Sequence, residues 1–315
     1  MGFEALIGNA RLKENLTGSL ARGRISHFYL ISGPKGSGKH TLARLLASAI
    51  LCREENRPCG RCAPCRKLAE GNHPDFITVE DPEHKNVAVK IVRQFREDVF
   101  IRPNESDYKI YFLPQDLGIE GQNALLKILE EPPKYGVFIL LTDNPEKILP
   151  TVRSRCTELA MQAIGEDLMR KVLQREFPDA SAEDIAGAVQ RSGGWLGQAL
   201  QLLASGEEIP PQTELFVNAL ATRNTLELVQ AMTPMEKWKR DQVLELVRSW
   251  LLLTEGALAC RAGMATSSSL ERKLAGSRTS QELMAVIRRL QKAQQYLLSN
   301  VSPAAVCGWL QWELR

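Results

Sequence analysis

The run Gly33-Pro34-Lys35-Gly36-Ser37-Gly38-Lys39-His40-Thr41 has the residue types and spacing of a phosphate cradle. Glycines let several backbone N–H groups converge on one anion, a following helix start adds partial positive charge, and Lys39 reaches terminal phosphates. The run follows the apolar stretch Phe28-Tyr29-Leu30-Ile31 and opens an amphipathic stretch over 41–51, which is the strand–turn–helix order such a cradle needs. One position departs from the pattern G-x-x-x-x-G-K-[ST]. The hydroxyl that would hold Mg²⁺ is replaced by His40, and Thr41 supplies one a residue late, about 100° round the helix. These residues predict a grip on phosphate and argue against turnover.

A second cluster is Cys52-x6-Cys59-x2-Cys62-x2-Cys65, set in a turn with Pro58, Gly60 and Pro64. Four thiolates so spaced can close a tetrahedron around Zn²⁺. The spacing is not that of a DNA-reading finger, so the expectation is a structural knuckle whose four ligands leave no open position for catalysis. Cys156, Cys260 and Cys307 are scattered.

The strand expected over 108–113 ends Phe112-Leu113-Pro114-Gln115-Asp116. Hydrolysis at a P-loop needs carboxylates at such a strand end to hold Mg²⁺ and orient water, yet proline and glutamine stand there. Asp116 lies beyond the proline and is expected in a loop. Arg155, in Ser154-Arg155-Cys156, is the remaining candidate; by spacing alone it reads as an ion-pair partner for an acidic helix of its own domain.

The elements that must position these residues follow from periodicity. Strands are expected over 27–32, 75–80, 108–113, 137–142 and 157–161, and helices within 3–23, to residue 52, and over 89–100 and 123–131, the last stopped by Pro132-Pro133. Strands alternating with helices predict a parallel sheet covered on both faces. Beyond it the pattern is helical: 166–177, a helix capped by Ser181, 198–204, 226–232, 239–258, 283–297, and a last helix begun by Ser302-Pro303 as N-cap and N1. Residues 205–212 read as a linker and 266–269 as a polar loop. Trp238, Trp250, Trp309 and Trp312 are expected in the core or at an oligomer interface. The expected division is an α/β domain over 1–162 with the cysteine module at 52–65, an all-α lid over 163–208 and an all-α domain over 209–315.

Composition agrees with this. A chain of 315 residues, 44% hydrophobic and 24% charged, is long enough for two or three domains. Its net charge of +3 is too small to announce a nucleic-acid binder by itself. No apolar run approaches a membrane span, and Met1-Gly2-Phe3-Glu4 does not begin a signal peptide, so a cytoplasmic address is expected, where clustered thiols suggest metal rather than disulfides.

Taken together, these residues resemble a bacterial clamp-loader subunit, an AAA+ protein of the DNA polymerase III complex. The resemblance runs from residue 3 to about 203. It rests on Ile7-Gly8, 27–30, 33–41, the four clustered cysteines, His73-Pro74-Asp75, 123–133 with its Leu-Glu-Glu-Pro-Pro, and Ser154-Arg155-Cys156. It implies an AAA+ P-loop domain, a small helical lid, and a C-terminal collar that joins a five-subunit ring with motor ATPase and delta-type subunits. Through the complex it implies contact with the sliding clamp and primer-template DNA, and none with membrane. It further implies a nucleotide site at Ile7, Gly8, Gly33, Pro34, Gly36, Ser37, Gly38, Lys39, His40 and Thr41, either vestigial or holding ATP or ADP without hydrolysis. It implies structural zinc on Cys52, Cys59, Cys62 and Cys65, and an arginine finger, Arg155, beside the γ-phosphate of ATP on a neighbouring subunit.

An active loader ATPase of this family has the hydroxyl after the P-loop lysine, an Asp-Glu pair and a lid arginine. Here those places hold His40, Pro114-Gln115 and Gly197. Such losses are similar to the delta-prime type, a partner in the polymerase holoenzyme that does not hydrolyse ATP itself. An active gamma/tau-type ATPase is the alternative.

Overall fold

A computed structural model of the chain describes residues 2–84, 86–204, 210–264, 268–299 and 301–315. The chain divides into two compact units, residues 1–172 with 192–200, and residues 173–191 with 201–315.

The first unit begins with α1 (Ala10–Ala21) and then alternates through β1 (Phe28–Ser32), α2 (Lys39–Leu51), α3 (Ala63–Ala69), β2 (Phe76–Thr78), α4 (Val89–Asp98), β3 (Lys109–Leu113), α5 (Ile119–Glu130), β4 (Gly136–Thr142), α6 (Pro150–Arg153) and β5 (Thr157–Ala160). The strands form one sheet in the order β2-β3-β4-β1-β5, with every pair parallel. In β1, β3 and β4 every residue is buried. That is why their sequences read as near-continuous apolar runs, broken only at the ends by Ser32, Lys109 and Thr142: a parallel sheet is covered on both faces. Alternate side chains feed two cores. Tyr29, Ile31, Phe112 and Ile139 pack with Leu16, Leu42 and Leu46 of α1 and α2. Leu30, Tyr111, Phe138 and Leu140 pack with Val92, Phe95, Leu125 and Ile128 of α4 and α5. Burying each such side chain contributes about 1.5–3 kcal/mol, so register is strongly specified. Ile31, for instance, lies opposite Leu141 on one side and Leu159 on the other.

Next come α7 (Glu166–Glu176), α8 (Ala182–Arg191) and α9 (Leu196–Ala204). Ser181 caps α8 as expected, its hydroxyl accepting from the Asp184 N–H at 3.1 Å. The second unit continues through α10 (Pro211–Thr222), α11 (Thr225–Met232), α12 (Arg240–Arg261), α13 (Ser269–Ser277), α14 (Ser280–Leu298) and α15 (Pro303–Glu313). These helices share one core. At its centre Trp250 stacks on Phe216 at 4.1 Å and donates its indole N–H to Thr213 Oγ1 at 3.0 Å. Leu283, Val286, Ile287, Leu290 and Leu297 bury one face of α14, and Ser302 caps α15 with Pro303 at its first position. No helix among the described residues is long and apolar enough to cross a membrane.

The structure corrects several expected boundaries. Helix α5 starts at Ile119, four residues before the expected Asn123, because Gly118 turns the chain into the helix directly after the loop. Pro211 and Gln212, expected in a linker, open α10, where a proline at the first turn costs no hydrogen bond; residues 205–209 lie outside the described residues. Ser268 and Ser269, expected in a loop, are the N-cap and first residue of α13, with Ser268 Oγ accepting from the Glu271 N–H. Thr266 and Ser267 lie outside the described residues. Of the tryptophans, Trp250 is fully buried in the expected core, and Trp312 is 69% exposed, which leaves it only the interface part of the expectation.

Candidate functional site

The loop between β1 and α2 is built as its glycines demand. Gly33, Gly36 and Gly38 have φ of 155°, 80° and 90°, a region L side chains rarely adopt. Parallel strands deliver their C-terminal ends to one edge, so this loop meets the residues following β3 and β4. Together with the entry segment before α1 they form a cleft of about 570 Å³. It is lined by Ile7, residues 35–41, Gln115, Asp116, Thr142, Asp143 and the segment 194–197. Of the expected nucleotide residues, Ile7, Gly36, Ser37, Gly38, Lys39, His40 and Thr41 line it directly. Gly33 and Pro34 contribute their carbonyls to Lys39. Gly8 packs behind the wall, where an added Cβ would fall 2.3 Å from Ile164 Cγ2.

Lys39 is 93% hidden, and its ammonium has three partners: the carbonyls of Gly33 and Pro34 and, at 2.6 Å, Asp143 Oδ1. Ser37 Oγ is buried with no hydrogen-bond partner among the described residues, an unsatisfied donor that a phosphate oxygen fits. His40 sets its ring edge against Phe112 at 5.8 Å. Burial, then the charges of Lys39 and Arg44, push its pKa down, so at neutral pH it presents an uncharged imidazole where Mg²⁺ asks for oxygen. The residues present fit a phosphate-bearing ligand better than a magnesium-bearing one.

The β3 end is equally altered. The Gln115 amide is committed at both ends to the backbone of Asp81, donating to its carbonyl at 2.9 Å and accepting from its N–H at 2.7 Å. Asp116 does lie in a loop beyond β3, as expected, and it reaches the cleft. Its Oδ1 accepts from Thr142 Oγ1 at 3.1 Å.

Gly197 has a steric reason to be glycine. Its N–H donates to the Gly36 carbonyl at 2.9 Å, and a Cβ on it would lie 2.7 Å from both Gly36 Cα and O. Gln198 adds a bond from Nε2 to the Lys35 carbonyl at 2.8 Å. The start of α9 therefore closes on the loop backbone to backbone, which excludes any side chain at 197.

Asp143 and Asn9 belong to no motif that marks them in the sequence. Asp143 immediately follows β4, and position at a parallel-strand C-terminus was the available signal. Asn9, at φ 53°, holds the cleft's entry segment by accepting from the Gln162 N–H at 2.8 Å.

The four clustered cysteines converge as expected. Their sulfurs lie within 4.8 Å of one another, with Cys52–Cys62 at 3.8 Å and Cys59–Cys65 at 3.9 Å. A tetrahedron with Zn–S bonds of about 2.3 Å has edges of about 3.8 Å, so the donor set fits zinc. Backbone N–H groups of Arg61 and Cys62 point at Cys59 Sγ and hold its pKa down at about 6, while burial pushes Cys52 up to about 12. Ser48 Oγ donates to Cys65 Sγ at 3.2 Å. A divalent cation would draw all four to thiolate.

Arg155 sits away from this chain's own cleft, just after α6. Its Nη1 donates to the Thr151 carbonyl at 2.9 Å and its Nη2 to Glu130 Oε1 at 3.2 Å, with 39% of the side chain exposed. The ion pair with an acidic helix that spacing alone favoured is therefore present.

Comparison with known proteins agrees with this geometry. The sequence model of the family described as "DNA polymerase III, delta subunit" matches residues 8–165. DNA polymerase III subunit tau of Bacillus subtilis is 34% identical over 212 residues, 64% of this chain and 37% of that protein. Subunit tau of Escherichia coli K12 is 32% identical over 254 residues, covering 78% of this chain and 38% of that protein. Subunit gamma of Buchnera aphidicola (from Schizaphis graminum) is 29% identical over 235 residues, 72% of this chain and 62% of that protein. The chain thus spans well under half of the tau relatives. With the cradle after β1 and the strand order β2-β3-β4-β1-β5, the chain belongs to the DNA polymerase III delta-subunit family, the bacterial clamp-loader subunits of the AAA+ class.

Proposed function

We propose that this chain is a delta-prime-type subunit of the clamp loader. In this reading it joins motor ATPase and delta-type subunits in a hetero-pentamer that loads the sliding clamp onto primed DNA in the cytoplasm. It does not hydrolyse ATP itself and supplies Arg155 to a neighbour's ATP. The observation that carries the reading is the contact of Gly197 with Gly36, which leaves no room for a nucleotide-sensing side chain at 197. His40 in place of a hydroxyl and the committed amide of Gln115 support it. A guanidinium suits the finger role because it is always charged and grips phosphate oxygens in a fork; such groups contribute on the order of 10³–10⁵ in rate elsewhere. Within the same reading, 163–208 is a lid, 209–315 a collar, and the four-cysteine site holds zinc.

The second reading is an active gamma/tau-type ATPase. Two observations favour it: the tau and gamma names of the relatives, and Asp116, which lines the cleft as a displaced carboxylate. Phosphate release by the purified chain separates the two. The first reading expects none above background, and sustained turnover overturns it. For the finger, Arg155→Ala is assembled with a competent motor subunit, clamp and primed DNA; a loss of ATP hydrolysis of at least tenfold is expected, and wild-type rates would refute the role.

A further inference from the structure

Helix α5 breaks a local rule. The C-terminal end of a helix carries partial negative charge and favours cations, yet α5 ends with Glu130 and has Glu131 at its cap, with Lys127 alone as a base in the last turn. Carboxylates there cost stability, and glutamate at 130 needs compensation. Its partner is Arg155: Glu130 Oε1 takes Nη2 at 3.2 Å while the Thr151 carbonyl takes Nη1 at 2.9 Å. One guanidinium is thus held by two acceptors on different elements, the end of α5 and the first turn of α6. The other N–H groups of the fork have no partner among these contacts, and the side chain is 39% exposed.

We propose that Glu130 is a positioning residue for Arg155: it fixes the direction of the guanidinium before a neighbour's triphosphate arrives. The inference rests on the finger reading above and adds the group that orients the finger. An unrestrained arginine must lose rotamer freedom when it grips phosphate; one already held by two acceptors loses less. Glu130 and Thr151 each take a single N–H, so the remaining N–H groups of the fork can meet phosphate oxygens while the pair still holds the guanidinium.

The test uses the assembled loader with clamp and primed DNA. Glu130→Ala is expected to lower the kcat for ATP hydrolysis about three- to fivefold, the scale of a surface ion pair, with KM for ATP little changed. Glu130→Gln, which keeps an acceptor oxygen, should recover part of the loss. The melting temperature of the isolated variants should stay level or rise, because a misplaced helix-end charge is removed. A merely structural role would instead lower it. In an Arg155→Ala background, Glu130→Ala should have no further effect. Wild-type kcat in Glu130→Ala, or the same loss with and without Arg155, overturns the positioning role and leaves the finger standing. Wild-type hydrolysis by Arg155→Ala alone overturns both.

Discussion

Lys39 and Asp143, 104 positions apart in sequence, meet at 2.6 Å on the floor of the cleft. The lysine that should grip phosphate is therefore already partnered by a carboxylate, which is itself 61% exposed. Phosphate must compete with Asp143 for the ammonium and would meet its charge as well. Asp143→Asn is expected to tighten binding of ATP or ADP roughly fivefold, about 1 kcal/mol for a half-exposed charged pair. Calorimetric titration of the two proteins checks this. Equal or weaker binding by the variant would mean that Asp143 does not oppose the ligand.

His40 puts an imidazole where a magnesium site would offer a hydroxyl oxygen, so phosphate binding and metal binding are expected to separate. His40→Thr restores a hydroxyl directly after Lys39, and nucleotide affinity is expected to become sensitive to Mg²⁺, by about threefold or more for one added oxygen ligand. Hydrolysis should remain at background, since Pro114 and Gln115 still occupy the end of β3. Sustained phosphate release from this single variant would show that Asp116 serves as the missing carboxylate.

Zinc should prove structural. Metal analysis is expected to return one zinc per chain, and Cys65→Ser should lower the melting temperature by roughly 5 °C or more. Cys65 is chosen because it is buried beneath Ser48 at the base of the knuckle. A strong chelator should destabilise the wild type by a similar amount and leave the variant unmoved. A metal-free wild type with unchanged melting would rule the site out.

Asp75 offers a test in pH. Its carboxyl is fully buried, and burial pushes its pKa up. The N–H groups of Asn104, Glu105 and Ser106 nevertheless donate to it, and the net shift is downward. A folded pKa below the unfolded one means that the stability is present above the unfolded value, about 4, and is lost as pH falls through the folded value. Denaturation at pH 7 and pH 3 should show a larger acid loss for wild type than for Asp75→Asn. At pH 7 the variant should be less stable by about 2–3 kcal/mol, as donors lose a charged acceptor. Equal acid sensitivity would remove Asp75 from the account.

Arg155 and the glycine loop differ in how they could be known. Chemistry carried by neighbours in sequence was legible before any fold. Residues 33–41 spell a phosphate loop because a glycine turn between strand and helix is a local structure, and four cysteines within fourteen positions can close on one ion with little chain between them. The buried strands were legible too, since both faces of a parallel sheet demand apolar residues. Helices α10 and α13 were not, because prolines and serines at their starts read as loop until the tryptophan core draws them in.

Tertiary structure alone decided which distant groups meet. Nothing in the spacing pairs Lys39 with Asp143, or brings Gly197 so close to Gly36 that no side chain fits, or picks Glu130 as the acidic-helix residue that Arg155 meets. Those contacts arise where the ends of parallel strands and the helices between them converge, and convergence depends on the packing of the whole sheet. Residue type and local order decided what this protein can hold; the distances between remote side chains decided how each group is held.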